Sequence, residues 1–177
     1  DRAGLIVKGR ENVILQSNGF YTTWTTSSAS LTSGQSGYDG TNDAFILTKN
    51  NANGRVNQNI ASSGVQTFST YVKANESQWA VLFSTSPNSG KFFNLSNGTI
   101  GGNLLAAPLD ASIESVGNDW YRISITISAT INQVRIYAAD GDGDTSGTSG
   151  SIYIQDAQLE QGLAASPYIE TTTTSAQ

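Results

Sequence analysis

Aromatic, guanidinium and amide side chains recur on the polar side of several segments in which apolar and polar residues alternate. Tyr71 precedes Val72, and Tyr153 lies between Ile152 and Ile154. Planar rings can stack on the apolar C–H face of a sugar, while amide and guanidinium groups donate to its hydroxyls. These residues predict a glycan-binding groove, with an ordinary solvated sheet face as the alternative. The candidate contact residues are Arg55, Gln58, Tyr71, Trp79, Tyr137, Tyr153 and Gln155.

Residue spacing shows which of these candidates share one side of a segment. Arg55 and Asn57 are two positions apart, and Gln133, Arg135 and Tyr137 follow the same spacing further along the chain. Successive side chains of a strand point to opposite faces, so each of these sets lies on one face. The hypothesis of a single groove requires that all of these strands lie side by side.

A second group of residues could bind a cation. Asp140, Asp142 and Asp144 alternate with glycine, and carboxylates on a flexible backbone can surround a calcium ion that requires six to eight oxygen ligands. An EF-hand is excluded, because its glycine and glutamate positions hold Thr145 and Ser151. The pattern predicts either an irregular calcium site or a solvated hairpin tip.

Catalysis has little support in the sequence. The chain contains neither His nor Cys, so it lacks the usual proton shuttle at neutral pH and any thiolate ligand or disulfide. A hydrolase would need a pair of carboxylates in different environments. Asp110, Glu114 and Asp119 are the nearest candidates, and their turn-like surroundings favour solvation. We therefore predict that the protein is not an enzyme.

The charge balance excludes other classes of partner. The 177-residue chain has a formal net charge of −5, and only 13% of its residues are charged. Binding of duplex nucleic acid depends on Lys and Arg side chains that neutralise phosphates, so no nucleic-acid partner is expected. A membrane span needs about 18 consecutive apolar residues, and no such run is present, so we expect no membrane insertion. Apart from calcium, no cofactor is predicted.

Alternation with a period of two dominates the chain. It is clearest where Ile123, Ile125 and Ile127 alternate with polar residues, and Asn-Gly and Asp-Gly pairs supply turns between such segments. About ten short strands with regular turns predict an antiparallel β-sandwich. The predicted strands span residues 12–16, 43–48, 55–60, 67–73, 79–84, 91–95, 111–116, 120–127, 132–138 and 151–159. Residues 27–37 and 140–150 are predicted to be flexible.

Five segments in order resemble a known family. They are Glu11-Asn12-Val13-Ile14-Leu15 near the start, Thr41-Asn42-Asp43-Ala44-Phe45, Phe68-Ser69-Thr70-Tyr71-Val72-Lys73, Asn118-Asp119-Trp120-Tyr121-Arg122, and Tyr153-Ile154-Gln155-Asp156-Ala157-Gln158-Leu159-Glu160 near the end. Together they resemble the jelly-roll, carbohydrate-binding-module-like domains of bacteriophage tail fibres, tailspikes and other virion appendages. The pattern departs from the family at Asp119, where glycine is more usual.

The resemblance implies a division of the chain and a location. Residues 1–9 are expected to link the domain to an upstream virion segment, residues 10–170 to form the jelly roll, and residues 171–177 to be a flexible tail. The protein is expected on the surface of a virion, with other virion proteins and a host-surface glycan as partners. A homo-oligomer is expected, with a trimer favoured. A purely architectural part, such as a capsid decoration, a fibre knob or a connector, is the alternative.

The resemblance also bears on particular residues. Trp24 and Trp120 are expected in the core, as similar tryptophans are in the family. Related carbohydrate-binding modules hold a structural calcium ion where the first and last strands meet. In this sequence Asp156 matches the acidic position of the last strand, and Asn18 or Glu11 could contribute from the first.

Overall fold

The structure, a computed structural model, describes residues 10–175 and confirms the predicted antiparallel β-sandwich. Within that range no helix is long and apolar enough to span a membrane. The strands are β1 (Thr25–Ser27), β2 (Ala29–Gln35), β3 (Ala44–Lys49), β4 (Arg55–Ser62), β5 (Val65–Ala74), β6 (Trp79–Thr85), β7 (Ser89–Asn94), β8 (Thr99–Leu105), β9 (Asp110–Gly117), β10 (Trp120–Ser128), β11 (Ile131–Ala139) and β12 (Ser151–Gln161).

The strands form two sheets of six. The first sheet has the order β1-β4-β11-β6-β7-β8, and the second has the order β2-β3-β12-β5-β10-β9. The chain changes sheet repeatedly, since β4 belongs to the first sheet, β5 to the second and β6 to the first again. Residues that are close in sequence can therefore lie on opposite sides of the sandwich.

The core lies between the two sheets and follows the predicted alternation. Phe68 and Val72 of β5 and Ile123 and Ile125 of β10 are fully buried, and Ile136 of β11 faces them from the first sheet. Removing a large aliphatic or aromatic side chain from water stabilises a fold by about 1.5–3 kcal/mol. The polar residues between these positions consequently lie on the two outer faces of the sandwich.

The two ends of the chain meet through scattered backbone and side-chain hydrogen bonds, and the strand predicted at residues 12–16 is reduced to a single β-bridge residue, Asn12. The N–H of Val13 donates to the carbonyl oxygen of Leu159 at 2.9 Å, and that of Gln16 donates to the carbonyl oxygen of Thr172 at 2.7 Å. Thr171 is 4% exposed and its hydroxyl donates to the Ile14 carbonyl oxygen at 2.5 Å. The predicted tail thus begins in an ordered contact, whereas the predicted linker at 1–9 lies outside the described residues.

The structure also corrects the two predictions of flexibility. Residues 29–35 form β2, in which Ala29 and Leu31 pack against the core. The loop after β11 is held by the Lys49 ammonium group, which is fully buried and lies 2.6 Å from the Asp140 carboxylate. The N–H of Asn53 donates to the carbonyl oxygen of Thr145 at 2.8 Å in the same loop. Small polar residues here form an ordered loop because their backbone groups have partners inside the protein.

Candidate functional site

The predicted ligand residues lie on two opposite outer faces. Arg55 of β4 and Tyr137 of β11 are on the first sheet, and they are partners in the strand register. Tyr71 of β5 is on the second sheet, where its register partner on β12 is Gln155. The prediction that these strands form one groove is therefore wrong, because β4 and β11 pair with each other and not with β5 or β12.

Gln58 belongs to neither outer face. It follows Asn57 on β4, so its side chain points to the other side of the strand, and it is 4% exposed. Its Oε1 accepts from the Leu15 N–H at 2.9 Å, and its Nε2 donates to the Leu15 carbonyl oxygen at 2.7 Å. Its Nε2 also donates to the Thr23 hydroxyl at 2.8 Å, so this buried side chain holds the segment before β1 against the first sheet instead of facing a ligand.

The outer face of the first sheet carries a polar ladder across β4 and β11. We define this ladder as Arg55, Asn59, Gln133, Arg135 and Tyr137. Gln133 donates to Asn59 Oδ1 at 2.7 Å, Arg135 Nε donates to Gln133 Oε1, and Arg135 donates to the Tyr137 hydroxyl at 3.1 Å. These bonds fix the direction of one guanidinium group and one amide on the sheet surface.

Aromatic rings support both guanidinium groups of the ladder. The Arg55 guanidinium carbon lies 5.6 Å from the centre of the Tyr137 ring, and that of Arg135 lies 5.3 Å from the centre of Phe83. Such stacking is worth about 0.5–1 kcal/mol at exposed sites and more where water is excluded. The Nε of Arg55 is buried and has no partner within the described residues. The ladder therefore combines positioned donors with an apolar base.

Trp79 lies at one end of the ladder. It is the register partner of Ala139, two residues beyond Tyr137 on β11. A Cβ atom at Gly101 of β8 would come within 2.6 Å of its indole ring, so glycine is what lets β8 approach the ring closely. Trp79 is half-buried, whereas Tyr137 is only 5% exposed. Of these two aromatic side chains, Trp79 offers the larger accessible surface.

Asn59 and Phe83 were not among the sequence candidates. Asn59 follows Arg55 and Asn57 at the spacing of two, which could have indicated its position. Phe83 lies four residues after Trp79 on β6 and so on the same face, but an apolar residue in such a segment is more often part of the main core. Only the assembled sheet shows that Phe83 underlies Arg135.

The outer face of the second sheet carries an aromatic cluster that is closed on itself. The rings of Tyr38 and Tyr71 stack with their centres 3.7 Å apart and their planes 6° from parallel. Trp120 is 2% exposed and lies between Tyr38 and Tyr153, with ring centres 6.3 Å and 6.2 Å away. Trp24 is 5% exposed in the main core, so both tryptophans are buried as predicted. Tyr71 and Trp120 are thus buried beneath neighbouring rings, whereas Tyr38 and Tyr153 are half-buried, as Trp79 is.

Gln155 is part of the same closed arrangement. It is fully buried, its Oε1 accepts from the Tyr38 N–H at 3.0 Å, and its Nε2 donates to Asp43 Oδ1 at 2.7 Å and to Asp39 Oδ1 at 3.2 Å. These bonds attach the loop between β2 and β3 to β12. The side chain supports that loop instead of facing a ligand.

Asp156 lies in a bulge of β12 with a φ of 52° and is 5% exposed. Burial raises its pKa to about 7; the hydrogen bond that it accepts from the Tyr38 hydroxyl at 2.9 Å opposes this shift, and the nearby charge of Asp43 adds to it. Burial and the charge of Asp156 in turn raise the pKa values of Tyr38 and Tyr168. This carboxyl group therefore gives up its proton at a higher pH than an exposed aspartate does.

The three carboxylates of the Asp-Gly loop are not brought together. Asp140 pairs with Lys49, Asp142 accepts from the Gly102 N–H at 2.6 Å, and Asp144 accepts from the Ser146 N–H at 2.8 Å. Hydrogen bonds from Ser146 lower the pKa of Asp144. Across residues 10–175 no three His, Cys, Asp or Glu side chains are grouped so as to hold a metal ion. This loop does not fit calcium, because an ammonium group already neutralises its first carboxylate.

The other calcium prediction involves Asp156 and Asn18. Asn18 Oδ1 accepts from the Asp156 N–H at 3.2 Å, and Asn18 Nδ2 donates to the Asp43 carbonyl oxygen at 3.3 Å. The two residues are neighbours, and calcium binding there stays a prediction. A structural ion would raise the melting temperature through mass action. Melting with excess calcium and with EDTA tests it: a higher melting temperature with calcium is expected if the ion binds, and equal temperatures would contradict the prediction.

Comparisons with known proteins show the fold. No protein-family model matches the chain, and no curated protein matches it in sequence. A mutant of a family 29 carbohydrate-binding module superposes with a TM-score of 0.50 at 9% identity, covering 92% of this chain and 99% of the module. The chain has the β-sandwich fold of carbohydrate-binding modules.

Two longer proteins contain a similar domain. One is a Clostridium thermocellum xylanase fragment with CBM22-1 and GH10 modules, complexed with xylohexaose. It superposes with a TM-score of 0.47 at 12% identity, and the match covers 90% of this chain and 29% of that one. The other is the enzymatically active domain of tailspike protein 4 from bacteriophage CBA120. It superposes with a TM-score of 0.46 at 13% identity, and the match covers 84% of this chain and 21% of that one. The chain therefore spans less than a third of either protein.

Proposed function

We propose that this domain is a non-catalytic module that binds carbohydrate along the outer face of its first sheet. The observation that carries the proposal is the polar ladder, in which two guanidinium groups lie over aromatic rings beside the amide groups of adjacent strands. Sugars present vicinal hydroxyls and apolar C–H faces, and a site that binds them needs positioned donors beside apolar surface. The ladder supplies the donors, and the half-buried Trp79 supplies apolar surface at its end.

The two outer faces differ in the guanidinium groups that they carry. On the second sheet Tyr38 and Tyr71 stack on each other, Gln155 donates its amide to the loop between β2 and β3, and Arg122 is the arginine over Tyr71. The first sheet carries two arginines: within residues 10–175 the Nε of Arg55 has no partner, as is also true of Arg122, and the hydrogen bonds of Arg135 go to Gln133 and Tyr137 on its own strand. Tyr137 thus accompanies arginine and glutamine, the combination that favours a glycan over a contact between subunits.

We also propose that the domain belongs to a bacteriophage virion appendage and acts there in adhesion to a host surface. The support is the ordered series of family-like segments from Glu11 to Glu160. Immunogold labelling of purified particles with antibody raised against the domain tests this location. Gold on tail fibres or tailspikes is the expected result, and gold on neither tail nor capsid would contradict it.

Changing Arg135 to alanine should weaken glycan binding at least tenfold. Hydrogen bonds to a charged group are worth about 1.5–3 kcal/mol, and about 1.4 kcal/mol corresponds to a factor of ten. A glycan array first identifies an oligosaccharide that the unaltered domain binds, and calorimetry then measures its dissociation constant for Arg135→Ala. The matched control is Lys73→Ala, which removes a half-buried cation from the outer face of the second sheet.

Two outcomes would overturn the proposal. One is an equal loss of affinity in both variants, which would place the binding surface elsewhere. The other is a folded domain that binds nothing on the array. In that case light scattering becomes decisive, because a stable trimer without a glycan ligand favours the architectural role.

A further inference from the structure

The second sheet has a cleft on its outer face, beside the aromatic cluster. The cleft has a volume of about 240 Å³, and β9, β10 and the segment after β12 form its walls. Its lining includes Asp110, Ser112 and Glu114 of β9, Arg122 and Thr126 of β10, and residues 163–165 of the segment after β12. None of them belongs to the polar ladder, which lies on the opposite side of the sandwich.

The segment after β12 forms one wall because it folds back onto the sheet. The Ser166 N–H donates to both carboxylate oxygens of the buried Glu160 at 3.1 Å, and the Thr126 hydroxyl donates to the Leu163 carbonyl oxygen at 3.3 Å. These bonds anchor the segment on both sides of Ala164 and Ala165. The wall that faces the cleft is therefore made of apolar side chains on a fixed backbone.

The opposite side of the cleft is polar and incompletely paired. Arg122 stacks over Tyr71 at 5.3 Å, donates to Ser69 at 3.3 Å, and has a buried Nε without a partner in the described part of the chain. Its register partner on β9 is Glu114, yet within residues 10–175 no ion pair joins the two. A donor and an acceptor thus line one cleft without satisfying each other.

We infer that this cleft binds a single neutral sugar ring, as a second carbohydrate site on the opposite face from the ladder. The choice of ligand class rests on the proposed carbohydrate function. One apolar wall suits the C–H face of a pyranose, while Arg122 and Glu114 can share its vicinal hydroxyls as donor and acceptor.

The volume of the cleft and the charges of its lining residues limit which sugars it can bind. Drug-sized ligands occupy pockets of roughly 300–1,000 Å³, so the smaller volume of this cleft suits one ring and not a chain of several. Asp110 and Glu114 contribute two carboxylates against the one guanidinium group of Arg122. Like charges repel at short range, which disfavours uronic and sialic acids and favours uncharged sugars.

The test is an amide-resolved NMR titration of the domain with glucose, galactose, mannose and N-acetylglucosamine in turn. A single small ring should bind with a dissociation constant in the millimolar range. We expect saturable shifts for at least one of these sugars in β9, β10 and residues 162–165. Ser112→Trp should abolish those shifts, because Ser112 is exposed at the edge of the cleft and a tryptophan side chain there would fill it.

Arg135→Ala is the matched control, since it alters the opposite face and should leave these shifts unchanged. The inference is overturned if no sugar shifts these residues, or if Ser112→Trp leaves the shifts as they were. Failure here does not affect the array result for the ladder. Conversely, cleft shifts that persist alongside a negative array would overturn the ladder proposal alone, so the two claims fail separately.

Discussion

Replacing Asn12 with alanine should lower the free energy of unfolding by about 4 kcal/mol, since a hydrogen bond contributes roughly 1 kcal/mol and Asn12 makes four. The side chain is fully buried. Its Nδ2 donates to the carbonyl oxygens of Ala157 at 3.1 Å and Ile169 at 2.8 Å. Its Oδ1 accepts from the N–H groups of Ile14 at 3.2 Å and Leu159 at 3.1 Å.

The loss is large because alanine would remove the partner of four backbone groups, three of them in buried hydrogen bonds. Domains are stable by only about 5–15 kcal/mol, so Asn12→Ala should shift the urea midpoint strongly. Asn132→Ala is the control, because Asn132 is exposed and makes one exposed hydrogen bond, to Ser86 at 3.0 Å. We expect the control to change stability by no more than about 0.5 kcal/mol. Equal effects of the two substitutions would contradict the role of Asn12.

The second large effect is a loss of stability as the pH rises through neutrality. The Asp156 carboxyl has a pKa of about 7 in the folded protein, whereas an unfolded Asp titrates near 3.9. The folded state therefore binds the proton more tightly. Its contribution to stability is complete below about pH 4 and is lost as the pH rises through 7. Between pH 5 and pH 8 the loss should be about 3 kcal/mol.

Urea unfolding at pH 5 and at pH 8 measures this effect. The chain contains no histidine, so few other groups titrate in that interval. Asp156→Asn should flatten the profile and make the protein more stable than the unaltered one at pH 8, because a neutral amide removes the buried charge beside Asp39 and Asp43. Asp119→Asn, at an exposed turn, should keep the original profile. A profile that is flat before any substitution would show that Asp156 is ionised throughout.

The elements that could be predicted from sequence are those whose pattern reflects burial. β10 alternates apolar and polar residues from Tyr121 onward, and β5 places Phe68 and Val72 on its inner face, so in both strands burial in the core explains the pattern. β2 and β8 were missed because neither alternates regularly and both are edge strands with little to bury. Residues 12–16 were predicted as a strand, but the chain ends are joined there by the Asn12 side chain and by scattered backbone hydrogen bonds instead of a regular ladder.

For the candidate site, spacing indicated the face of a strand but not the sheet. Arg55 and Tyr137 were correctly grouped with the neighbours on their own strands. Tyr71 and Gln155 were placed in the same groove only because nothing in the sequence shows that β5 and β12 pair away from β4 and β11. Gln58 shows a second limit of prediction from sequence. The spacing of β4 indicates that its side chain points away from Arg55 and Asn57, but its hydrogen bonds to Leu15 depend on a segment without regular structure, whose position the sequence does not indicate.

The buried Lys49–Asp140 pair has a consequence for proteolysis. A protease must draw an extended stretch of backbone into its active site, so it cuts where a loop can detach. Between Asp140 and Gly147 detachment would break the ion pair, the 2.9 Å bond from the Gly147 N–H to Asp140, and the 2.8 Å bond from Asn53 to Thr145. This glycine- and serine-rich loop should therefore stay intact in the native protein and become cleavable only when the buried lysine is released.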